Sequence, residues 1–181
     1  MMKGDQRVAL TKRLLQEGLL RLLEKKEIDT ISVSELCAES GINRATFYRH
    51  YTQPRDILRD TRHNIIKDVQ AIAEKDKTEI NLCKWLEDIC RYFYDHKKLL
   101  CILFKTRTDD EFVEMISELC NEQFYCLRNK AIQKQDEDSL KLTAYGYAGG
   151  FYYILRQWLL EPFNKTPQDV AAVMYRFLTG I

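Results

Sequence analysis

The chain has 181 residues, 45% of them apolar and 30% charged, with seven Gly, three Pro and a formal net charge of +1. Such a composition belongs to a soluble globular chain and excludes a disordered one; no apolar run approaches the roughly 20 residues of a membrane span. The near-zero net charge excludes a strongly basic or acidic chain, so charge matters here through its distribution.

The N-terminus, MMKGDQRVALTKR, lacks the apolar core of a signal peptide. Six Cys, at 37, 83, 90, 101, 120 and 126, contain no CxxC pair, which fits a reducing cytoplasm with free thiols. Residues 5 to 26 read as one helix. Val8, Thr11, Leu15, Leu19 and Leu22 recur at three- and four-residue steps, with Leu14 and Leu23 widening the stripe. Gly18 in its middle costs about 1 kcal/mol against Ala, a loss that close packing on a neighbour explains.

Ser32 and Glu35 form an S-x-x-E capping box for a second, short helix with core positions Val33, Leu36 and Cys37. Gly41 is its left-handed stop, Ile42 points inward, and Asn43 caps a third helix through Tyr51. Pro54 opens a long amphipathic helix to about residue 75. EKDKTE is a polar break, and further helices read as 79 to 95, 98 to 105, 110 to 135, 138 to 160 and 166 to 178. Asp109 and Thr166 are their expected caps, the latter followed by Pro167 and Asp169. The expectation is an all-α protein of about nine helices, without strands or repeats. A three-helix unit, 1–53, precedes a larger helical unit, 54–181.

On the third helix Phe47 and Tyr51 lie four apart and anchor one face. The remaining faces carry Arg44, Ala45, Thr46, Tyr48, Arg49 and His50, and no acid occurs between Gly41 and Arg55. This is the layout of a helix-turn-helix, whose second helix enters the major groove. Arg makes bidentate contacts to guanine and Thr offers a hydroxyl and a methyl for thymine. Tyr and His are ordinary phosphate donors. A helical hairpin that merely meets water is the other reading, but a solvated face usually mixes signs and does not expose an aromatic such as Tyr48.

From Arg7 to Leu58 the sequence resembles the DNA-binding domain of the TetR family of bacterial transcriptional regulators. The match is carried by Thr30-Ile31-Ser32-Val33, by Glu35-Leu36-Cys37 and by the run Gly41-Ile42-Asn43-Arg44-Ala45-Thr46-Phe47-Tyr48-Arg49-His50-Tyr51. The resemblance implies base or groove contacts from Asn43, Arg44, Ala45, Thr46 and Arg49, and phosphate contacts from Ser32, Ser34, Tyr48 and His50. Pro54 stands where the family commonly has a phosphate-binding Lys, which leaves Arg55, about 100° round the helix, to take that role. Cys37 replaces the family's usual Ala at a close helix crossing.

The segment YGYAGGFYYILRQW places three Gly and many aromatics in a helix. Small residues admit a neighbouring helix backbone, and in the family this helix and the last one pair with their copies in a second subunit. The expected dimer interface is Tyr145, Gly146, Gly149, Gly150, Tyr153, Trp158, Val170, Met174 and Phe177. Candidate lining residues for a small-molecule effector are Trp85, Phe93, Phe104, Phe112, Met115, Phe124, Tyr147 and Phe151, though a Met and aromatic set at helical spacing is more often plain core than a pocket. Cys83 and Cys90 share a helix face near His96, but metal ligands generally pair at closer steps, so no metal or cofactor is expected. Arg107 and Asp109 read as a solvated pair in a helix connection. There is no phosphate loop, HExxH or G-x-S-x-G, so no enzyme is expected. The expectation is therefore a dimeric repressor that reads a palindromic duplex and responds to an effector. The alternative is a TetR-like coactivator working through protein–protein contact.

Overall fold

The computed structural model describes residues 4–74, 81–105 and 136–180. They form eight α-helices and one 3-10 turn, with no strand among the described residues. None of these helices is long and apolar enough to cross a membrane. The expected helix over 110–135, its Asp109 cap, Arg107, Cys120 and Cys126 lie outside the described residues. The chain divides into two compact units, 1–65 and 66–181.

In the first unit, α1 (Gly4–Leu23) lies against α2 (Val33–Ser40), and α2 against α3 (Arg44–Tyr48). Helix α4 (Pro54–Glu74) follows. Leu15, Leu19, Leu36, Phe47 and Ile57 are buried to 1% exposure or less, and each such side chain stabilises the unit by about 1.5–3 kcal/mol. Gly18 earns its place at the α1–α2 crossing: a Cβ there would stand 2.9 Å from Ser40 Cβ and 3.2 Å from the Ser40 backbone. Ser40 turns its hydroxyl back, donating to Leu36 O at 2.8 Å. Arg21 Nε donates to Glu39 at 2.6 Å and braces the same crossing.

Three local expectations change. Val8 is exposed rather than core, because the α1–α2 contact falls further along the helix. Val33 is only half-buried, one position past the cap. The capping box at Ser32 is half made: Ser32 Oγ accepts the Glu35 N–H at 3.2 Å, but the Glu35 carboxylate pairs with Lys26 instead of returning to the cap. An ammonium within reach is a stronger partner for a carboxylate than one backbone N–H.

In the second unit α5 (Leu82–Asp95) packs chiefly on α8 (Pro167–Thr179), while α6 (Lys97–Lys105) packs on α7 (Glu137–Leu160). Three of their N-termini have a side-chain reason. Asn81 caps α5, Asp136 caps α7, and Thr166 with Asp169 completes a full capping box before Pro167. The core includes Leu86, Leu100, Leu103, Ala148, Leu155 and Met174. Cys90 is fully buried, its thiol directed at Met174 Sδ 3.7 Å away, and burial pushes it up to about 12. Cys101 donates to Leu159 O at 3.3 Å, whereas Cys83 is exposed. Among the described residues no three His, Cys, Asp or Glu side chains are grouped to hold a metal ion.

Candidate nucleic-acid interface

Helix α3 stands out from the unit because its two ends are fixed by unlike means. At its start, Gly41 adopts φ +69°, a left-handed turn that stops α2, and the Ile42 N–H returns to Cys37 O at 3.1 Å. Asn43 Oδ1 then accepts the Thr46 N–H at 2.7 Å and opens α3. At its end, the helix is shorter than its aromatic spacing suggests. Regular α-helix stops at Tyr48, and the N–H groups of His50 and Tyr51 both converge on Phe47 O, at 2.9 and 3.0 Å. This tightened last turn still buries Phe47 completely and Tyr51 to 8% exposure.

The other side of α3 faces outward. Arg44, Ala45, Tyr48 and Arg49 are exposed, Tyr48 to 53%, while Thr46 and His50 are half-buried. Tyr48 sits edge-on to Phe47 with ring centres 5.4 Å apart. Ser32, Ser34 and Asn43 are exposed too. Capping leaves the Ser32 proton and the Asn43 amide nitrogen as donors, since each cap bond uses an oxygen. Arg55 is held against Asp29, its Nε donating to Oδ1 at 2.8 Å.

Periodicity did not reveal what sits behind the exposed end of α3. Tyr51 donates its hydroxyl proton to Asp60 Oδ2 at 2.6 Å, and Lys12 Nζ reaches the same oxygen at 2.8 Å. Lys12 also lies 5.6 Å over the Tyr51 ring. One carboxylate thus ties α1, the turn that ends α3, and α4 together. Burial alone disfavours the ionised Asp60, but the bonds from Lys12 and Tyr51 outweigh it and hold the carboxyl below its ordinary range. Burial and the Asp60 bond push the Tyr51 phenol in the opposite direction, well above its usual value. The signal in the sequence was the hydroxyl itself: a buried Tyr needs a partner for its O–H. Asp56 plays a related part at the start of α4, accepting the N–H groups of Thr52 at 2.8 Å and Gln53 at 3.0 Å.

The two other groups of expected site residues fall in the second unit. Trp85, Phe93, Phe104 and Phe151 are buried and Tyr147 is half-buried; Phe104 meets Tyr152 edge-on at 5.7 Å. The Trp85 indole N–H is buried and has no acceptor among the described residues. Phe112, Met115 and Phe124 lie outside those residues. Of the expected dimer interface, Trp158, Val170 and Met174 are buried within their own chain. The Trp158 indole donates to Lys165 O at 3.0 Å, Tyr94 stacks on its ring at 5.7 Å, and Met174 receives Cys90. Gly150 is also accounted for within the chain, since a Cβ there would strike the Phe177 ring at 2.5 Å. Gly146 and Gly149 have open space instead, and Tyr145 and Tyr153 are 56% and 62% exposed beside them.

Residues 81–180 match a family model described as a transcriptional regulator C-terminal region of TetR type. A segment of 55 residues is 40% identical to an uncharacterized HTH-type transcriptional regulator, YxbF, of Bacillus subtilis strain 168. That segment is 30% of this chain and spans only 14% of the relative's length. Among solved structures, a TetR-family regulator from Syntrophomonas wolfei superposes with a TM-score of 0.73 at 17% identity over 92% of both chains. A TetR regulator from Streptococcus agalactiae gives 0.68 at 21% identity over 96% of both. The dihydroxyacetone kinase operon activator DhaS gives 0.68 at 14% identity over 94% of both. At these identities the superpositions establish the fold.

Proposed function

Because the chain belongs to the TetR family of transcriptional regulators, we propose that it is a sequence-specific regulator that binds a palindromic DNA site as a homodimer. The observation that carries this reading is the outward face of α3. Arg44, Thr46, Tyr48 and Arg49 project from a helix whose opposite side is locked by Phe47 and Tyr51, and no carboxylate shares that face. A helix presented in this way, with groove-reading residues near its start and phosphate donors near its end, suits the major groove. In this reading Asn43, Arg44, Ala45, Thr46 and Arg49 meet base edges, and Ser32, Ser34, Tyr48, His50 and Arg55 meet phosphates. Arg55 contributes only after it exchanges Asp29 for a phosphate.

The homodimer is supported by the open stripe on α7, where Leu142, Tyr145, Gly146, Gly149 and Tyr153 follow one another at helical spacing without intrachain cover. Phe177 of α8, 47% exposed, extends it. A dimer seated on a promoter excludes other proteins by occupancy alone, so repression needs no further contact surface. The Trp85 indole N–H, buried and without an acceptor among the described residues, supports an effector that supplies a hydrogen-bond acceptor to the second unit.

The test is selection of bound duplexes from a random pool by the purified protein, at two salt concentrations. The reading expects a palindrome with half-sites about one helical turn or more apart. Arg44→Ala should then relax preference at particular base pairs by about 1–3 kcal/mol, leaving other positions unaltered. Recovery of no motif would shift the function to protein–protein contact, the coactivator alternative.

A further inference from the structure

The end of α3 borders a hollow of about 640 Å³, and its walls come from three helices. Tyr48, Arg49 and His50 line it from α3 and its last turn, Lys12 from α1, and Arg59 and His63 from α4. Two carboxylates reach the same space, and both already have partners. Asp56 accepts two backbone N–H groups and pairs with Arg59, while Asp60 holds Lys12 and the Tyr51 hydroxyl. Three cations therefore stand against two satisfied carboxylates, and two imidazoles add further donors. Arg59 has five N–H donors and Lys12 three, so neither is exhausted by one acid partner.

We propose that this hollow seats a phosphodiester of the DNA backbone, with Lys12, Arg59 and His63 as contacts beyond Tyr48 and His50. The proposal rests on the DNA-binding reading and extends it from α3 to the flanking helices. The donor set fits a compact oxyanion, because ammonium, guanidinium, imidazole and phenol groups from three helices line one hollow. The hollow adjoins the exposed face of α3, so a strand whose bases meet Arg44 and Thr46 carries its phosphates past it. Asp60 here is a positioning residue that keeps Lys12 and Tyr51 at the rim. A free phosphate ion offers the same chemistry, and the experiment separates the two sources.

Full-length protein is titrated by fluorescence anisotropy against a selected duplex and an unrelated one, across a range of salt. Arg59→Gln is compared with wild type, as is the charge-balanced pair Lys12→Gln with Asp60→Asn, each checked for folding by circular dichroism. The expected result is a loss of about three- to tenfold on both duplexes alike for Arg59→Gln. Its slope of log affinity against log salt should flatten by about 0.9, as for one lost phosphate contact. Competing inorganic phosphate should displace the duplex no better than chloride at equal ionic strength. Unchanged affinity and slope in a wild-type protein that binds duplexes would overturn the hollow while sparing the DNA reading. Loss confined to the selected duplex would place Arg59 in base recognition and overturn it too. Wild-type protein that binds no duplex would remove the DNA reading, and phosphate-specific shifts of the His63 ring signals in that protein would reassign the hollow to a free anion.

Discussion

Asp60 is where a single side chain does most to join the first unit, and its behaviour with pH can be signed. Its carboxyl is lowered in the folded protein, so the stability it contributes is present above the unfolded value of about 3.9 and is lost as pH falls through the folded value. The Lys12–Asp60 pair is partly exposed, at 42% and 29% of the side chains, which limits its contribution to about 0.2–1 kcal/mol. Asp60→Asn keeps an acceptor for Tyr51 and removes only the charge. Thermal melts of wild type and variant should differ by a constant, small amount from pH 8 to pH 5, begin to converge as pH falls below about 4, and meet only below the lowered folded value. Parallel curves down to pH 3 would show the ion pair to be inert. This network marks the limit of sequence reading at the residue scale. Tyr51 as an apolar anchor follows from its spacing to Phe47, but its partner Asp60 lies nine residues on, across a turn and a helix start, where no period connects them.

Among elements, the α1–α2 crossing sets how α3 is carried, and Gly18 sets the crossing. A Gly in mid-helix was legible as a demand for close approach because its intrinsic loss needs a compensating contact. The identity of that contact, Ser40, was not legible, since it depends on the crossing point. In Gly18→Ala two effects oppose each other: better helix propensity returns about 1 kcal/mol, while the new methyl meets Ser40 Cβ at 2.9 Å and backbone at 3.2 Å. Backbone cannot swing away as a side-chain tip can, so overpacking of about 1–3 kcal/mol wins. Urea melts should show a net loss of about 1 kcal/mol, and DNA affinity should fall with it as α2 and α3 shift. A more stable variant would mean that the two helices separate without strain. Caps follow a similar rule. At Thr166 the local pattern decides and the full box forms, whereas at Glu35 a Lys nine residues earlier competes and the box opens.

For the molecule as a whole, the all-helical architecture was legible because each described helix carries its own stripe or cap. Which residues of α7 and α8 stay open for the proposed dimer was not legible. A sequence shows that small and aromatic residues alternate on α7 but not which way each one turns, and Trp158, Val170, Met174 and Gly150 turn into their own subunit. What remains gives an unusually clean opposition of signs. Gly149→Ala meets nothing within 4 Å in the isolated chain, so helix propensity should make the monomer about 1 kcal/mol more stable. If α7 meets its copy there, the same methyl separates two backbones and weakens association. Sedimentation equilibrium on Gly146→Ala with Gly149→Ala should therefore show a dissociation constant raised at least tenfold, while melts of the dissociated protein move upward. Tyr153→Glu, at a position 62% exposed, should dissociate the dimer without loss of folding by placing two like charges across the axis. Association unchanged in both variants would move the two-fold contact off α7, and with it the spacing expected between half-sites.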